Sequence, residues 1–205
     1  MGASIISKLK PNYLNKSCVE DNILIIKPLK CLPQNNALLN LKRLKKKFEN
    51  IFREKSSDYK DIISTLKCKD KSSILIITFD NLNDLKYLPN CNIDSFDIVY
   101  VDKSFNKLKE IAKTYKDKLK LSLVECCAQD LPFIDNEFDV IINIGSFNKY
   151  QNKTKAIKEM QRVAKDGANI LIADSLDKSS IKLFKSLKDA QIDIKDNKYL
   201  VNLGA

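Results

Sequence analysis

Histidine is absent from the 205 residues of this chain, and arginine occurs only at Arg43, Arg53 and Arg162. Without histidine, a zinc site made of two cysteines and two histidines is impossible. The six cysteines contain no Cys-x-x-Cys pair, and so an all-cysteine zinc site has no usual spacing to support it. We therefore expect no metal centre, and we expect reduced thiols, as are usual in the cytoplasm.

Long apolar runs are also missing. No stretch reaches the ~18 apolar residues of a membrane-spanning helix, and the apolar part of the N-terminus is too short for a secretory signal. Gly2 is followed by Ile6 at the position where an N-myristoylation signal has Ser or Thr. The sequence therefore predicts a cytoplasmic protein without a transmembrane span. Peripheral membrane association through Gly2 and nearby lysines stays an alternative.

The positive charge is carried almost entirely by lysine. The net charge is +10, with 36 Lys and Arg residues against 26 Asp and Glu residues. Such a surplus can attract nucleic acid or an anionic membrane, but clusters of arginine interleaved with aromatic residues are absent. Because Asn and Ile are abundant as well, codon bias in an AT-rich genome accounts for the lysines. We expect no nucleic-acid partner.

The first 70 residues predict an N-terminal extension. Residues 1–21 are mixed and polar, which indicates irregular structure, and residues 23–26 are an apolar run that indicates a short strand. Residues 35–54 have the periodicity of an amphipathic helix whose lysines face solvent. Its apolar positions are Leu41, Leu44, Phe48 and Ile51. We expect this helix to pack against the rest of the protein on the substrate side.

From residue 72 onward, apolar runs alternate with segments of helical periodicity. The predicted strands are 74–78, 97–102, 121–126, 138–143, 168–173 and 199–203. This alternation predicts that residues 71–205 form an α/β domain with a doubly wound, mostly parallel sheet. Ligands of such sheets bind beyond the carboxyl ends of the strands. Asp102 ends a predicted strand, where its carboxylate could accept ribose hydroxyls or, equally, cap the helix that follows.

Three segments of this region resemble one family. Residues 130–142 (DLPFIDNEFDVII) are similar to the DLPFPDNSFDVVI stretch of type 11 methyltransferases, which include ubiquinone and menaquinone biosynthesis methyltransferases. Residues 158–167 (KEMQRVAKDG) are similar to the LKEIARVLKPGG helix and turn of that family, and residues 101–104 (VDKS) to its GVDISPEMLEKA segment. The chain thus resembles a class I S-adenosylmethionine-dependent methyltransferase over most of residues 72–205.

The resemblance implies a seven-stranded, Rossmann-like sheet and S-adenosylmethionine as the cofactor. The positions that match the family's cofactor residues are Asp102 at the ribose, Lys103 beside the adenine, Cys127 and Ala128 at the adenine edge, and Asn143 at the methyl-transfer end. On the substrate side it places Phe147, Asn148 and Tyr150. It implies no obligatory catalytic acid or base, because methyl transfer depends mainly on positioning, and it does not identify the methyl acceptor.

The first strand of the family ends in a glycine-rich loop, which this chain lacks. No glycine occurs between Gly2 and Gly145, and Thr78, Phe79 and Asp80 occupy the loop positions. Glycine allows the backbone to approach a ligand and to adopt positive φ angles. We therefore expect an altered cofactor loop in which Phe79 fills part of the pocket.

The family's adenine-binding Asp is also replaced, by Cys127. A thiol is a poor hydrogen-bond acceptor for the adenine amine. Together with the altered loop, this change predicts weak or absent binding of S-adenosylmethionine. The alternative to a methyltransferase is therefore a catalytically inactive scaffold that acts through protein contacts, similar to the N-terminal domain of the anamorsin family.

Overall fold

The computed structural model describes residues 3–14, 17–20, 23–26, 63–64, 66, 71–78, 96–115, 119 and 121–204. Two predictions lie outside these ranges. One is the amphipathic helix at 35–54, and the other is the placement of Phe79 and Asp80 in the cofactor loop. The division of the chain near residue 70 stays a prediction.

The described residues form a sheet of nine strands. In chain order the strands are β1 Ser17–Glu20, β2 Ile23–Ile26, β3 Ser73–Ile77, β4 Asp97–Asp102, β5 Leu121–Glu125, β6 Phe138–Ile144, β7 Ala164–Ser175, β8 Ala190–Lys195 and β9 Lys198–Gly204. Across the sheet the order is β1-β2-β5-β4-β3-β6-β7-β9-β8. The strands from β2 to β7 are parallel to one another, whereas β1, at one edge, and β9, beside β7, run antiparallel to their neighbours.

Helices cover both faces of the sheet. They are α1 Ala3–Ser7, α2 Pro11–Leu14, α3 Phe105–Tyr115, α4 Lys153–Val163 and α5 Lys178–Lys185. Successive side chains of β3 point to opposite faces, so that Ile74 and Ile76 join the core beneath α3 while Leu75 and Ile77 join the core beneath α4 and α5. The two apolar cores explain why β3 is a continuous apolar run.

Polar side chains begin α4 and α5. The side chain of Asn152 accepts a hydrogen bond from the backbone N–H of Lys155 at 2.8 Å, and the carboxylate of Asp177 accepts one from the N–H of Ser180 at 2.8 Å. Each bond satisfies one of the N–H groups that have no partner within the first turn of a helix. The buried positions of α4 are those that its periodicity predicts, from Ala156 to Val163.

The predicted doubly wound α/β fold is confirmed, and the structure extends it. Strands β3 to β9 provide the seven strands that the family resemblance implies, and β2 and β1 lengthen the sheet beyond β5. The prediction of irregular structure for residues 1–21 was wrong, because α1, α2 and β1 lie there. These elements are stabilised by tertiary contacts: Leu9 forms a β-bridge with Phe133, and Ile5, Leu9 and Tyr13 are buried.

The chain runs from β3 outward to β4 and β5, and then returns to β6 on the other side of β3. Such a reversal leaves a crevice at the carboxyl ends of the strands, where ligands of open α/β sheets bind. In the part of the chain that is described, no helix is long and apolar enough to span a membrane.

Candidate functional site

A cavity of about 750 Å³ lies at the carboxyl ends of β2, β3, β4 and β5. This volume is within the roughly 300–1,000 Å³ that is typical of small-molecule sites. The described residues that line it are Ile26, Ile77, Thr78, Val101, Asp102, Lys103, Ser104, Lys107, Glu125, Cys126, Cys127, Ala128, Gln129, Ser146, Lys149, Tyr150 and Gln151. The cavity therefore occupies the crevice that the topology predicts.

Asp102, at the end of β4, is buried yet reaches the cavity. One oxygen of its carboxylate, Oδ1, accepts a hydrogen bond from the backbone N–H of Ser104 at 2.8 Å. The hydroxyl of Ser104 in turn accepts a weaker bond from the N–H of Lys107 at 3.4 Å, at the start of α3. Ser104 thus caps the helix, while Asp102 fixes the turn before it and presents a carboxylate to the cavity.

Thr78, immediately after β3, has a φ angle of 54°. Its N–H donates to the carbonyl oxygen of Val101 at 3.1 Å, which joins the turn to the neighbouring strand. A positive φ is uncommon for a β-branched residue and is the conformation that glycine adopts without strain. The backbone therefore has the left-handed conformation expected of a glycine loop, although the residue is threonine.

Cys127 and Ala128 lie in the turn that follows β5. The N–H of Asp130 donates to the carbonyl oxygen of Cys127 at 3.0 Å, and the N–H of Cys126 donates to that of Asp102 at 3.1 Å. Both cysteines line the cavity. Because β5 ends at Glu125, the two adjacent cysteines lie beyond the strand, and the alternation of side chains between its faces does not apply to them.

Arg162 and Glu159, on α4, hold the segment after this turn. The guanidinium of Arg162 donates to the carbonyl oxygens of Leu131 at 2.9 Å and Phe133 at 2.8 Å, and Glu159 accepts a bond from the N–H of Leu131 at 2.9 Å. Burial alone would raise the pKa of Glu159, but its contacts with Arg162 and Leu131 outweigh burial and lower that pKa. The family-like segments at 130–142 and 158–167 thus contact each other directly.

Asn143, Ser146 and Tyr150 form a ring of hydrogen bonds beside the cavity. The amide of Asn143 donates to the phenol oxygen of Tyr150, and the hydroxyls of Ser146 and Tyr150 are 2.9 Å apart. The hydroxyl of Ser146 closes the ring to Asn143 Oδ1 at 3.4 Å. Burial raises the pKa of Tyr150 strongly, and the bonds from Ser146 and Asn143 offset only part of this effect. The phenol is therefore neutral at physiological pH.

Five of the eight predicted cofactor residues line the same cavity: Thr78, Asp102, Lys103, Cys127 and Ala128. Asn143 is fully buried behind Tyr150 and Ser146, which line the cavity in its place. Of the three residues assigned to the substrate side, Tyr150 lines the cavity. Phe147 is fully buried and packs against Phe184, and Asn148 accepts bonds from Ser180 and Tyr199.

Several residues of the cavity wall were not predicted from the sequence. They are Ile26, Lys107, Glu125, Gln129, Ser146, Lys149 and Gln151. Glu125 could have been found, because it ends the strand next to Asp102 and ligands bind at strand ends. The pairing of β2 with β5 brings Ile26 to the cavity, and no local pattern predicts that pairing. The wall thus carries three lysines, Lys103, Lys107 and Lys149, and two carboxylates, Asp102 and Glu125.

Comparisons with known proteins agree with this architecture. A family model described as a methyltransferase domain matches residues 81–172. Demethylmenaquinone methyltransferase of Staphylococcus carnosus (strain TM300) is 33% identical over 91 residues, which are 44% of this chain and 37% of that protein. The chain thus matches well under half of that relative's length.

Solved structures share the fold at low sequence identity. A SAM-dependent methyltransferase from Aquifex aeolicus aligns with a TM-score of 0.58 and 15% identity, covering 77% of this chain and 96% of that one. A Methanococcus maripaludis protein described as an S-adenosyl-L-methionine-dependent methyltransferase aligns with a TM-score of 0.61 and 16% identity, covering 84% and 96%. The chain therefore has the fold of class I S-adenosylmethionine-dependent methyltransferases, and its residues 81–172 are similar to the methyltransferase domain of that family.

Proposed function

We propose that this protein binds S-adenosylmethionine in the cavity and transfers its methyl group to an acceptor. The observation that carries the proposal is the position of Asp102. Its buried carboxylate ends β4 and reaches the cavity, whose wall also includes the small side chain of Ala128. A carboxylate in this place suits the two hydroxyls of a ribose, and the cavity has the volume of a small-molecule site.

We assign a role in cofactor binding to each predicted site residue. Asp102 would accept the ribose hydroxyls, with Lys103 beside the adenine at the start of α3. Cys127 and Ala128 would border the adenine edge, and Thr78 would begin the loop along the methionine part. Phe79 and Asp80 would continue that loop. Asn143 would act through Tyr150, whose hydroxyl it holds at the far side of the cavity.

The cofactor, when bound, supplies a methyl group on a sulfonium. No side chain then needs to act as a strong base, since orientation of the acceptor contributes most of the rate. Tyr150 suits such a role, because its raised pKa keeps the phenol neutral and because Asn143 and Ser146 fix its oxygen. We infer that the acceptor enters beside Tyr150, Lys149 and Gln151.

The matched relative from Staphylococcus carnosus is named demethylmenaquinone methyltransferase, but the match covers only 37% of that protein. We therefore name no acceptor. The cytoplasm is the proposed compartment, which agrees with the absence of a disulfide among the described cysteines Cys18, Cys126 and Cys127.

A scaffold without the cofactor is the competing hypothesis. Two differences from the family support it: the loop directly after β3 contains no glycine, and Cys127 stands where the family has Asp. Losing one hydrogen bond to a charged acceptor costs about 1.5–3 kcal/mol, which is roughly a ten- to hundredfold loss of affinity. A loss of affinity of this size would weaken the binding of the cofactor without abolishing it, because Asp102 would still contact the ribose.

Calorimetric titration with S-adenosylmethionine and S-adenosylhomocysteine tests the proposal. We expect saturable binding to the wild-type protein, weakened about tenfold or more by Asp102→Asn. Asparagine keeps the oxygen that accepts from Ser104, so the turn should survive. Asp174→Asn is the control, because Asp174 is equally buried at the end of β7 and accepts from the N–H groups of Ser175 and Asn148, yet lies outside the cavity wall.

A substitution at Cys127 separates the methyltransferase hypothesis from the scaffold hypothesis. Cys127→Asp restores the family's acceptor and should tighten binding about ten- to a hundredfold. As a second readout, the bound cofactor should slow alkylation of the Cys127 thiol, measured by peptide mass spectrometry. If neither the wild type nor Cys127→Asp binds either ligand while both remain folded, the scaffold hypothesis replaces the proposed function.

A further inference from the structure

A second concave surface lies at the other end of the sheet, between α5 and β8. Six described residues line it: Leu176, Lys178, Ile181, Lys182, Lys185 and Ile194. Leu176 is 44% exposed and Ile194 is 50% exposed. They are two of the four most exposed large apolar side chains in the described part of the chain. We call this surface the α5 groove.

One face of α5 gives the groove its charge. Residues 178, 181, 182 and 185 are spaced at three, four and seven positions, so they share one side of the helix. Ser180 and Phe184, on the other side, are buried in the core. The groove thus has isoleucine and leucine at its centre and three lysines around them, whose long stems can lie along apolar surface while the ammonium groups reach outward.

The groove begins at the same edge of the sheet as the cavity. Leu176 follows the carboxyl end of β7, and Ile194 is level with that end through the register of β8, β9 and β7. Asn148 ties the two sites together: its amide donates to the carbonyl oxygen of Ser175 at 2.7 Å. Lys149, the next residue, lines the cavity.

Charge along this edge is mainly positive. Lys103, Lys107 and Lys149 stand on the cavity wall, and the three lysines of α5 stand on the groove. The acidic groups along the edge are Asp102 and Glu125 on the cavity wall, Asp177, whose carboxylate is 2.9 Å from Lys153, and the exposed Asp193 and Asp196. Three lysines therefore accompany the two exposed apolar side chains of the groove, and three more stand on the cavity wall along the same edge.

We propose that the carboxyl edge of the sheet, centred on the α5 groove, docks on an anionic lipid bilayer. Apolar side chains that enter the interface, combined with lysines that meet anionic headgroups, are the two contributions that peripheral membrane binding requires. An extended anionic surface complements the positive charge of the groove. A second copy of this chain does not, because both copies carry a net charge of +10 and repel each other.

Docking in this way would turn the mouth of the cavity toward the membrane. The methyl acceptor would then be a lipid-soluble molecule that reaches Tyr150 from the bilayer, a consequence that rests on the proposed function. The docking itself needs no cofactor. Calorimetry without vesicles tests cofactor binding, and vesicle binding without cofactor tests docking, so that either proposal can fail alone.

Sedimentation of the full chain with phospholipid vesicles tests the docking. We expect binding to vesicles of phosphatidylcholine mixed with phosphatidylglycerol, little binding to phosphatidylcholine alone, and a loss of binding as salt is raised. Each lysine near the surface contributes about fivefold in partition, so Lys178→Gln/Lys182→Gln should lower it roughly twentyfold. Leu176→Ser/Ile194→Ser should lower it about tenfold.

Matched controls lie elsewhere on the protein. Ile6→Ser removes an apolar side chain that is 56% exposed on α1, and Lys158→Gln removes an exposed charge from α4; neither should change the partition. Circular dichroism melting checks that every variant is folded. Equal partition of the groove variants and the wild type overturns the proposal, because another part of the chain then binds. So does the absence of any preference for anionic vesicles.

Self-association through the groove is the alternative to docking, and the same variants test it. Analytical ultracentrifugation without vesicles should show no association through the groove. Self-association that Leu176→Ser/Ile194→Ser abolishes, together with no binding to anionic vesicles, would assign the groove to a dimer interface and overturn docking on a bilayer.

Discussion

The ammonium group of Lys8 lies 2.9 Å from the hydroxyl oxygen of Ser73, at the start of β3. Lys8 also contacts the carboxylate of Glu137, lies 3.2 Å from that of Asp97, and stands over the ring of Phe138. Its side chain is only 8% exposed. A lysine near the N-terminus is thus held between the starts of three strands, at the edge of the sheet opposite the cavity.

Replacing this lysine should destabilise the protein. Lys8→Met keeps the length of the side chain but leaves Glu137 and Ser73 without their partner, and an unsatisfied buried polar group costs about 1–3 kcal/mol. We expect a decrease of that size in the free energy of unfolding, measured by urea denaturation. Lys113→Met, at an exposed position of α3, should change it by less than about 0.5 kcal/mol. Equal effects of the two variants would contradict the contacts of Lys8.

Thr78 should tolerate glycine better than alanine. A left-handed conformation costs a residue with a Cβ atom about 1–2 kcal/mol, while glycine loses roughly 0.5–1 kcal/mol through its greater freedom in the unfolded chain. Thr78→Gly should therefore leave the free energy of unfolding unchanged or raise it by up to about 1 kcal/mol. Thr78→Ala retains the Cβ atom and should show no gain. Urea denaturation of the two variants decides the matter, and a gain for alanine alone would speak against the φ angle of 54°.

Tyr150 and Asn143 should be coupled energetically. Tyr150→Phe removes the oxygen to which the fully buried Asn143 donates, at a cost of about 1–3 kcal/mol. In Asn143→Leu/Tyr150→Phe neither polar group is left, so the double variant should cost less than the sum of the single variants by about 0.5–3 kcal/mol. A double-mutant cycle measured by chemical denaturation checks this, and strict additivity would exclude the bond.

Glu159 should contribute a pH-dependent part of the stability. Its pKa in the folded protein lies below the ordinary value of 4.5, so the unfolded chain binds the proton more tightly. Its contribution is therefore complete above about pH 4.5 and is lost as the pH falls through the lower folded pKa. Glu159→Gln should cost about 1–3 kcal/mol at neutral pH, and the difference from the wild type should shrink below pH 4.5.

Denaturation of both proteins at several pH values provides the measurement. Glu110→Gln, at an exposed position of α3, is the control and should follow the wild type throughout. A constant difference between Glu159→Gln and the wild type down to the lowest pH would contradict the lowered pKa. Asp139, whose pKa the bonds from Lys165 and Ser73 lower against the effect of burial, should account for part of the remaining acid sensitivity.

Apolar periodicity was sufficient to predict the central sheet and its helices. A parallel strand that is buried on both faces must be apolar throughout, as β3 is, and an amphipathic helix must repeat its apolar residues at helical spacing, as α3 and α4 do. The N-terminal segment could not be predicted in this way. Its helices have only five and four residues, too few to show a period, and contacts with residues 130–138 stabilise them.

The residues of the candidate site also fall into those that the sequence predicts and those that depend on the tertiary structure. The sequence by itself determined that Asp102 ends a strand at the carboxyl edge, and that Thr78, Cys127 and Ala128 follow neighbouring strands, because each residue adjoins an apolar run. Only the tertiary structure decided that Tyr150 lines the cavity while Phe147, three residues earlier, is buried, and that Ile26 and Lys107 complete the wall. Periodicity records which residues avoid water, whereas the surroundings of a polar side chain depend on strand pairings and helix contacts between residues far apart in the chain.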